Sequence, residues 1–111
     1  MKNLILCLLL LVSVSAGIEK DNEVATYKYT VLHLNAKWNN HNSLPIQNLK
    51  NVHLEWALLE EQSEEIKNKF NKIPFIALKE NGTPIKVWEG NIMFKPTVTV
   101  DQIQEVIDSL N

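Results

Sequence analysis

The pattern of apolar residues predicts one small α/β domain, a mixed four-stranded sheet built in the order β-α-β-α-β-β-α with helices on both faces. Three observations carry this. Strand-like and helix-like segments alternate from residue 27 to residue 78, an Asn81-Gly82 pair then joins two short apolar runs, and a capped amphipathic segment closes the chain.

Residues 27–36 are rich in aromatic and β-branched side chains, which suit a pleated surface, and are read as the first strand. Trp38 follows, and after it Asn39, Asn40, His41 and Asn42 make a polar, turn-prone stretch. A short helix is expected over 43–50, with Leu44, Ile46 and Leu49 apolar and Pro45 in the first turn, where its missing N–H costs nothing. Residues 52–59 read as a second strand. Leu54, Trp56 and Leu58 alternate on one side, and Ala57 and Leu59 fill the other, as a sheet covered on both faces requires.

Ser63 is placed to cap the next helix, Glu64 and Glu65 complement its dipole, and Ile66 and Phe70 lie one turn apart on one face. Pro74 ends that helix, and residues 75–78 form a compact apolar strand. Both central residues of a tight hairpin turn need positive φ, which Asn-Gly supplies, so residues 83–88 should return antiparallel. Residues 90–96 are irregular. Thr99 and Gln102 form a capping box, and Val100, Ile103, Ile107 and Leu110 mark one apolar stripe of the last helix. The order implies two parallel β-α-β units with right-handed crossovers, then one antiparallel edge strand.

The first 16 residues have a different character. Lys2 precedes an apolar run from Leu4 to Val12, and Ser13, Val14, Ser15 and Ala16 close it, the pattern of a signal peptide cleaved after Ala16. A membrane span needs about twenty apolar residues, and charges arrive at Glu19, Lys20 and Asp21 before that length is reached. Cys7 lies inside the apolar run and away from the cleavage site, so a lipoprotein signal is not expected. The organisation read from the sequence is therefore a signal peptide at 1–16, a polar leader at 17–26 and one domain at 27–111, secreted or periplasmic and without a stable membrane span.

Removing 16 of 111 residues leaves 95, enough for one core. Loss of Lys2 reduces the 11 basic residues to 10 against 13 acidic ones, a net charge of −3. Such mild acidity offers no footprint for nucleic acid. Arginine is absent, which removes the bidentate clamp for phosphate and carboxylate. Cys7 is the sole cysteine, so the processed chain has no thiol and no disulfide.

The segments Val31-Leu32-His33-Leu34-Asn35-Ala36, Lys37-Trp38 and Ile73-Pro74-Phe75-Ile76-Ala77-Leu78-Lys79-Glu80-Asn81-Gly82, in that order, resemble the thioredoxin family. In that family a strand ends in Ala-x-Trp-Cys-x-x-Cys, an Ile-Pro pair opens a later strand, and a turn of the Asn-Gly type begins the hairpin. The resemblance spans most of 27–110 and implies a minimal thioredoxin-like fold. It places the redox pair on Asn39 and Asn42, neither of which can act as a thiolate, and the buried carboxylate of many members on His33. Between Trp38 and Pro74 the chain is shorter than typical members by about ten residues, roughly three turns of helix.

Two candidate binding segments follow. Trp38 with Asn39, Asn40, His41 and Asn42 would stand at a helix N-terminus able to take an anion or a peptide carbonyl, or would simply make a turn and cap. Ile73 and Pro74 resemble the family's cis-proline loop, to which an extended peptide adds by main-chain hydrogen bonds; alternatively the proline only separates helix from strand. His33, His41 and His53 could hold a metal if they converged with Glu55, but no local ligand spacing supports it. Glu60, Glu61, Glu64 and Glu65 read as a solvated helix start. Asn81-Gly82-Thr83 matches a glycosylation sequon that the hairpin and the following Pro84 already explain.

The leading expectation is a non-catalytic exported domain that binds a peptide or protein partner and needs no cofactor. The alternatives are a metal-binding or residual-enzyme domain using His41 or His33, and a thiol-disulfide protein, disfavoured because no cysteine remains.

Overall fold

The computed structural model describes residues 27–111. The expected signal peptide at 1–16 and leader at 17–26 lie outside the described residues. Strands β1 (Tyr29–Asn35), β2 (His53–Leu58), β3 (Phe75–Glu80) and β4 (Thr83–Trp88) form one sheet in the order β2-β1-β3-β4. Helix α1 (Glu64–Lys69) precedes β3 and helix α2 (Val100–Leu110) closes the chain. Two 3₁₀ turns kinked at Asn39 occupy Lys37–Asn42, and single ones lie at Ile46–Asn48 and Leu59–Glu61.

The sheet is mixed with one parallel pair. β1 runs parallel to β2 but antiparallel to β3, so the second parallel unit expected from the sequence does not form. Register shows why. Asn35 faces Leu58 and Leu34 faces Phe75, so β2 ends and β3 begins at the same end of the sheet. α1 has only 6 residues, about 9 Å at ~1.5 Å per residue, whereas a strand of that length covers about 20 Å. The helix spans less than half a strand length, and the chain enters β3 at the end where it left β2, so β3 runs antiparallel to β1 and β2.

The helix expected over 43–50 is also absent. Pro45 sits at φ −78 and ψ 69, outside the helical region, and only Ile46–Asn48 makes a 3₁₀ turn. Leu44, Ile46 and Leu49 are nevertheless buried. Their spacing meets the core as well from an irregular turn as from a helix, and Pro45 disfavours helical geometry at Leu44 before it.

Alternation along the central strands divides the core in two. Val31, Ile76 and Leu78 pack with Ile103 and Ile107 of α2 and with Leu44, Ile46 and Leu49. Leu32, Leu34, Phe75 and Ala77 face the opposite side, against Ile66 and Phe70. β1 and β3, at the centre, are buried almost throughout. β2 is an edge strand, and only Ala57 in it is buried, so the two-sided cover expected for it is incomplete. Across β1, the buried Lys79 donates to Glu55 at 2.8 Å, tying β3 to β2.

The local signals held where a side chain meets its own backbone. Ser63 Oγ accepts from Ile66 N at 3.3 Å. Thr99 and Gln102 exchange both bonds of the capping box, at 2.9 and 3.1 Å. Asn81 and Gly82 adopt φ 52 and 89 and turn β3 into β4, which pair antiparallel.

Candidate functional site

Three irregular segments meet beyond the end of β1: the turn at 37–42, the approach to β3 at 72–74, and the loop at 90–95. The turn is organised from within. Asn39 is fully buried, and each of its polar groups has a partner. Its Nδ2 donates to Asn35 Oδ1 and to the Phe94 carbonyl, both at 2.9 Å, and its Oδ1 accepts from Asn42 Nδ2 at 2.8 Å. Its main-chain carbonyl accepts from Asn35 Nδ2 at 3.0 Å, and its N–H donates to Ala36 O at 3.0 Å. Asn35 Nδ2 also reaches Ser43 Oγ at 2.9 Å. Buried amides in such a network define one geometry, because each lost bond would leave a desolvated group.

The five candidate residues of this turn therefore part company. Asn39 is the keystone of the turn, and Asn42 is half-buried beneath it. Asn40 and His41 are exposed, and Trp38 is 60 % exposed. No α-helix follows the turn, so the helix N-terminus expected there is not available to an anion. The Trp38 ring leans edge-on to Phe94 with centroids 5.0 Å apart.

Ile73 and Pro74 are both buried, and the peptide bond between them is cis. Gly90 lies directly against them: a Cβ there would stand 1.9 Å from the Ile73 carbonyl oxygen. Gly90 N–H donates to Lys72 O at 3.3 Å. Only glycine permits this approach.

The loop at 91–95 closes on itself. Asn91 Oδ1 accepts from Met93 N at 2.8 Å and Lys95 N at 3.1 Å, and Asn91 N–H donates to Lys95 O at 3.0 Å. Phe94 sits at φ 62 and turns its carbonyl to Asn39. The tip carries Ile92 at 85 % exposure and Met93 at 65 %. Sequence reasoning passed over this loop, and over Asn35. The available signal was an apolar triplet, Ile92-Met93-Phe94, inside a segment otherwise marked as irregular.

The histidines are separated. His33 and His53 lie three register positions apart and hence on opposite faces of the sheet, and His41 is on the turn. His33 is buried, packs against Trp56 with ring centroids 4.9 Å apart and planes inclined at 50°, and accepts from Leu44 N at 3.0 Å through Nε2. Burial pushes its pKa down to about 4. Among the described residues no three His, Cys, Asp or Glu side chains gather as metal ligands. A cleft of about 320 Å³ opens beside the turn, with His33, Asn40, Pro45 and Trp56 in its walls. Glu60 joins the turn from outside, its carboxylate accepting the Lys37 N–H at 2.9 and 3.1 Å. No described helix is long and apolar enough to cross a membrane.

No protein-family model matches the chain, and no curated protein matches it. Among solved structures, a designed protein is similar over 77 % of this chain and 82 % of its own, at 14 % identity and a TM-score of 0.49. The class defined by the fold is that of a small mixed α/β domain with a four-stranded sheet.

Proposed function

We propose that this is an exported, non-catalytic domain with a minimal thioredoxin-like fold that binds a peptide or protein partner through the face around Trp38. The strand order with its single parallel pair, the turn after β1 and the cis Ile73–Pro74 bond support the fold reading. The apolar run at 1–16 supports secretion or delivery to a periplasm.

One observation carries the binding reading. Trp38 presents most of a large aromatic surface to solvent from a turn whose polar side chains bond to one another. Tryptophan in such a setting adds little to the core and much to an interface, where a rigid aromatic anchor loses little entropy on binding. Asn40 and His41 are exposed beside it; Asn40 Oδ1 accepts from Ser43 Oγ and His41 Nε2 lies 3.4 Å from Asn42 Nδ2, which leaves Asn40 Nδ2 and His41 Nδ1 for main-chain groups of a partner. Ile73 and Pro74 hold the floor of the face through their contact with Gly90.

The test is affinity capture from the compartment that receives the protein, with wild type and a Trp38→Ala/His41→Ala double variant. The same partner bands should be lost in the variant while its melting temperature stays within a few degrees of wild type. A variant that melts far lower and keeps the bands would make Trp38 a core residue and end this reading.

A further inference from the structure

Resting on the partner-binding reading above, we propose that the loop at 91–95 is a second arm of that face, and that its partner is an extended acidic peptide segment carrying a bulky apolar side chain. Trp38 and Phe94 are in ring contact, and Asn39 holds the Phe94 carbonyl, so the loop tip and the tryptophan belong to one surface. Trp38, Ile92 and Met93 all project from turns rather than from the sheet. The self-closed hydrogen bonds of Asn91 fix the loop before any partner arrives, which reduces the entropy lost on binding. Methionine at the tip adapts its shape to different apolar side chains.

Size selects the kind of partner. Three side chains of this exposure offer on the order of 400 Å², within the range of the largest apolar patch on an ordinary monomer. That is about half of the ~800 Å² per side that a stable interface between folded proteins buries. A second copy of this chain would be held weakly, whereas a few residues of extended peptide match the patch.

Charge selects its composition. Lys37 is adjacent to Trp38, Lys95 is adjacent to Phe94, and Lys72 offers its carbonyl to Gly90; all three are exposed. None of them enters an ion pair among the described residues, although the chain as a whole is acidic. Glu60 and Glu89 also border the face, Glu60 accepting the Lys37 N–H, so three lysines against two glutamates leave the rim one charge positive. Lysine therefore rims an apolar centre, and acidic residues flanking a large apolar one complement it.

The experiment uses fluorescence polarisation with protein purified from expressing cells and two labelled synthetic peptides. Each has a central Leu-Phe-Leu, flanked by three aspartates on either side in one and by three lysines in the other. The aspartate peptide should bind at least about tenfold more tightly than the lysine peptide. Ile92→Ser/Met93→Ser should weaken it by about tenfold or more. Lys37→Gln/Lys72→Gln/Lys95→Gln should remove the preference between the two peptides. All of these positions are exposed, and circular dichroism should show the fold unchanged.

Binding that is indifferent to Ile92→Ser/Met93→Ser but weakened by Trp38→Ala would overturn this inference and leave the broader partner-binding reading standing. Equal binding of both peptides would overturn the acidic assignment. Failure of both peptides would overturn the inference as well. If vesicles of phosphatidylcholine with about 30 % phosphatidylglycerol then captured the protein through Ile92 and Met93, the occupant would be an anionic lipid surface.

Discussion

The turn at 37–42 and the loop at 91–95 are both irregular and touch at Phe94, yet they dispose of their side chains in opposite ways. In the turn, Asn39 and Asn42 bond to each other, Asn39 also bonds to Asn35, and Asn39 is fully buried. In the loop, the single asparagine bonds to its own backbone neighbours, and the apolar residues that follow it face solvent. The inward segment supplies rigidity, and the outward one supplies apolar surface. The side chains that this corner leaves exposed are those of Trp38, Asn40, His41, Ile92 and Met93.

This contrast can be broken at three points. The largest effect is expected at the junction of the two segments. Gly90→Ala would drive a methyl group into the Ile73 carbonyl at 1.9 Å, and backbone on both sides would have to move. A loss of about 4 kcal/mol or more is expected by urea denaturation. A loss under about 1 kcal/mol would show that the loop is not seated on residues 72–74 as described.

Next is the keystone. Asn39→Ala leaves the amide groups of Asn35 and Asn42 and the Phe94 carbonyl short of partners. It should cost about 2–4 kcal/mol, several times the value of one net hydrogen bond, because the groups left behind are desolvated. The same measurement on Asn40→Ala should show a change within about 0.5 kcal/mol, since that side chain is exposed.

The third effect is silent at neutral pH, develops only in acid and lies behind the turn. His33 has a folded pKa of about 4, against about 6.5 in the unfolded chain. The unfolded state therefore takes up a proton first as pH falls. The stability tied to neutral His33 is whole above about pH 6.5, declines as pH drops toward 4, and is lost below it. The total is on the order of 3 kcal/mol. His33→Gln, which keeps an acceptor for Leu44 N–H, should flatten that part of the profile between pH 6.5 and 4. An unchanged slope in the variant would assign the acid sensitivity to the carboxylates.

Much of the candidate site was named by the sequence but sorted only by the fold. Trp38, Asn39, Asn40, His41 and Asn42 form a continuous polar turn when read along the chain, and nothing in their identity says which are buried. Asn39 turns inward because Asn35 and Phe94 offer partners there, and Phe94 lies 55 residues away along the chain. Ile92 and Met93 gave only the weak signal of an apolar triplet in an irregular segment. Apolar residues in a loop carry no periodicity, and their exposure depends on how the loop closes.

The sequence by itself determined the elements whose causes are local. The hairpin at Asn81-Gly82, the cap at Ser63, the capping box at Thr99 and the alternating core of β1 and β3 each follow from a few neighbouring residues. Tertiary structure alone decided the direction of β3, the collapse of the helix at 43–50 into a 3₁₀ turn and the meeting of residues 37–42 with 90–95. Hydrophobic pattern reports which face of a segment is buried, not the way the chain runs or what it meets. Strand direction depends on the end of the sheet at which the connection through residues 59–74 enters β3, and the site depends on contacts between segments whose separation along the chain no local rule spans.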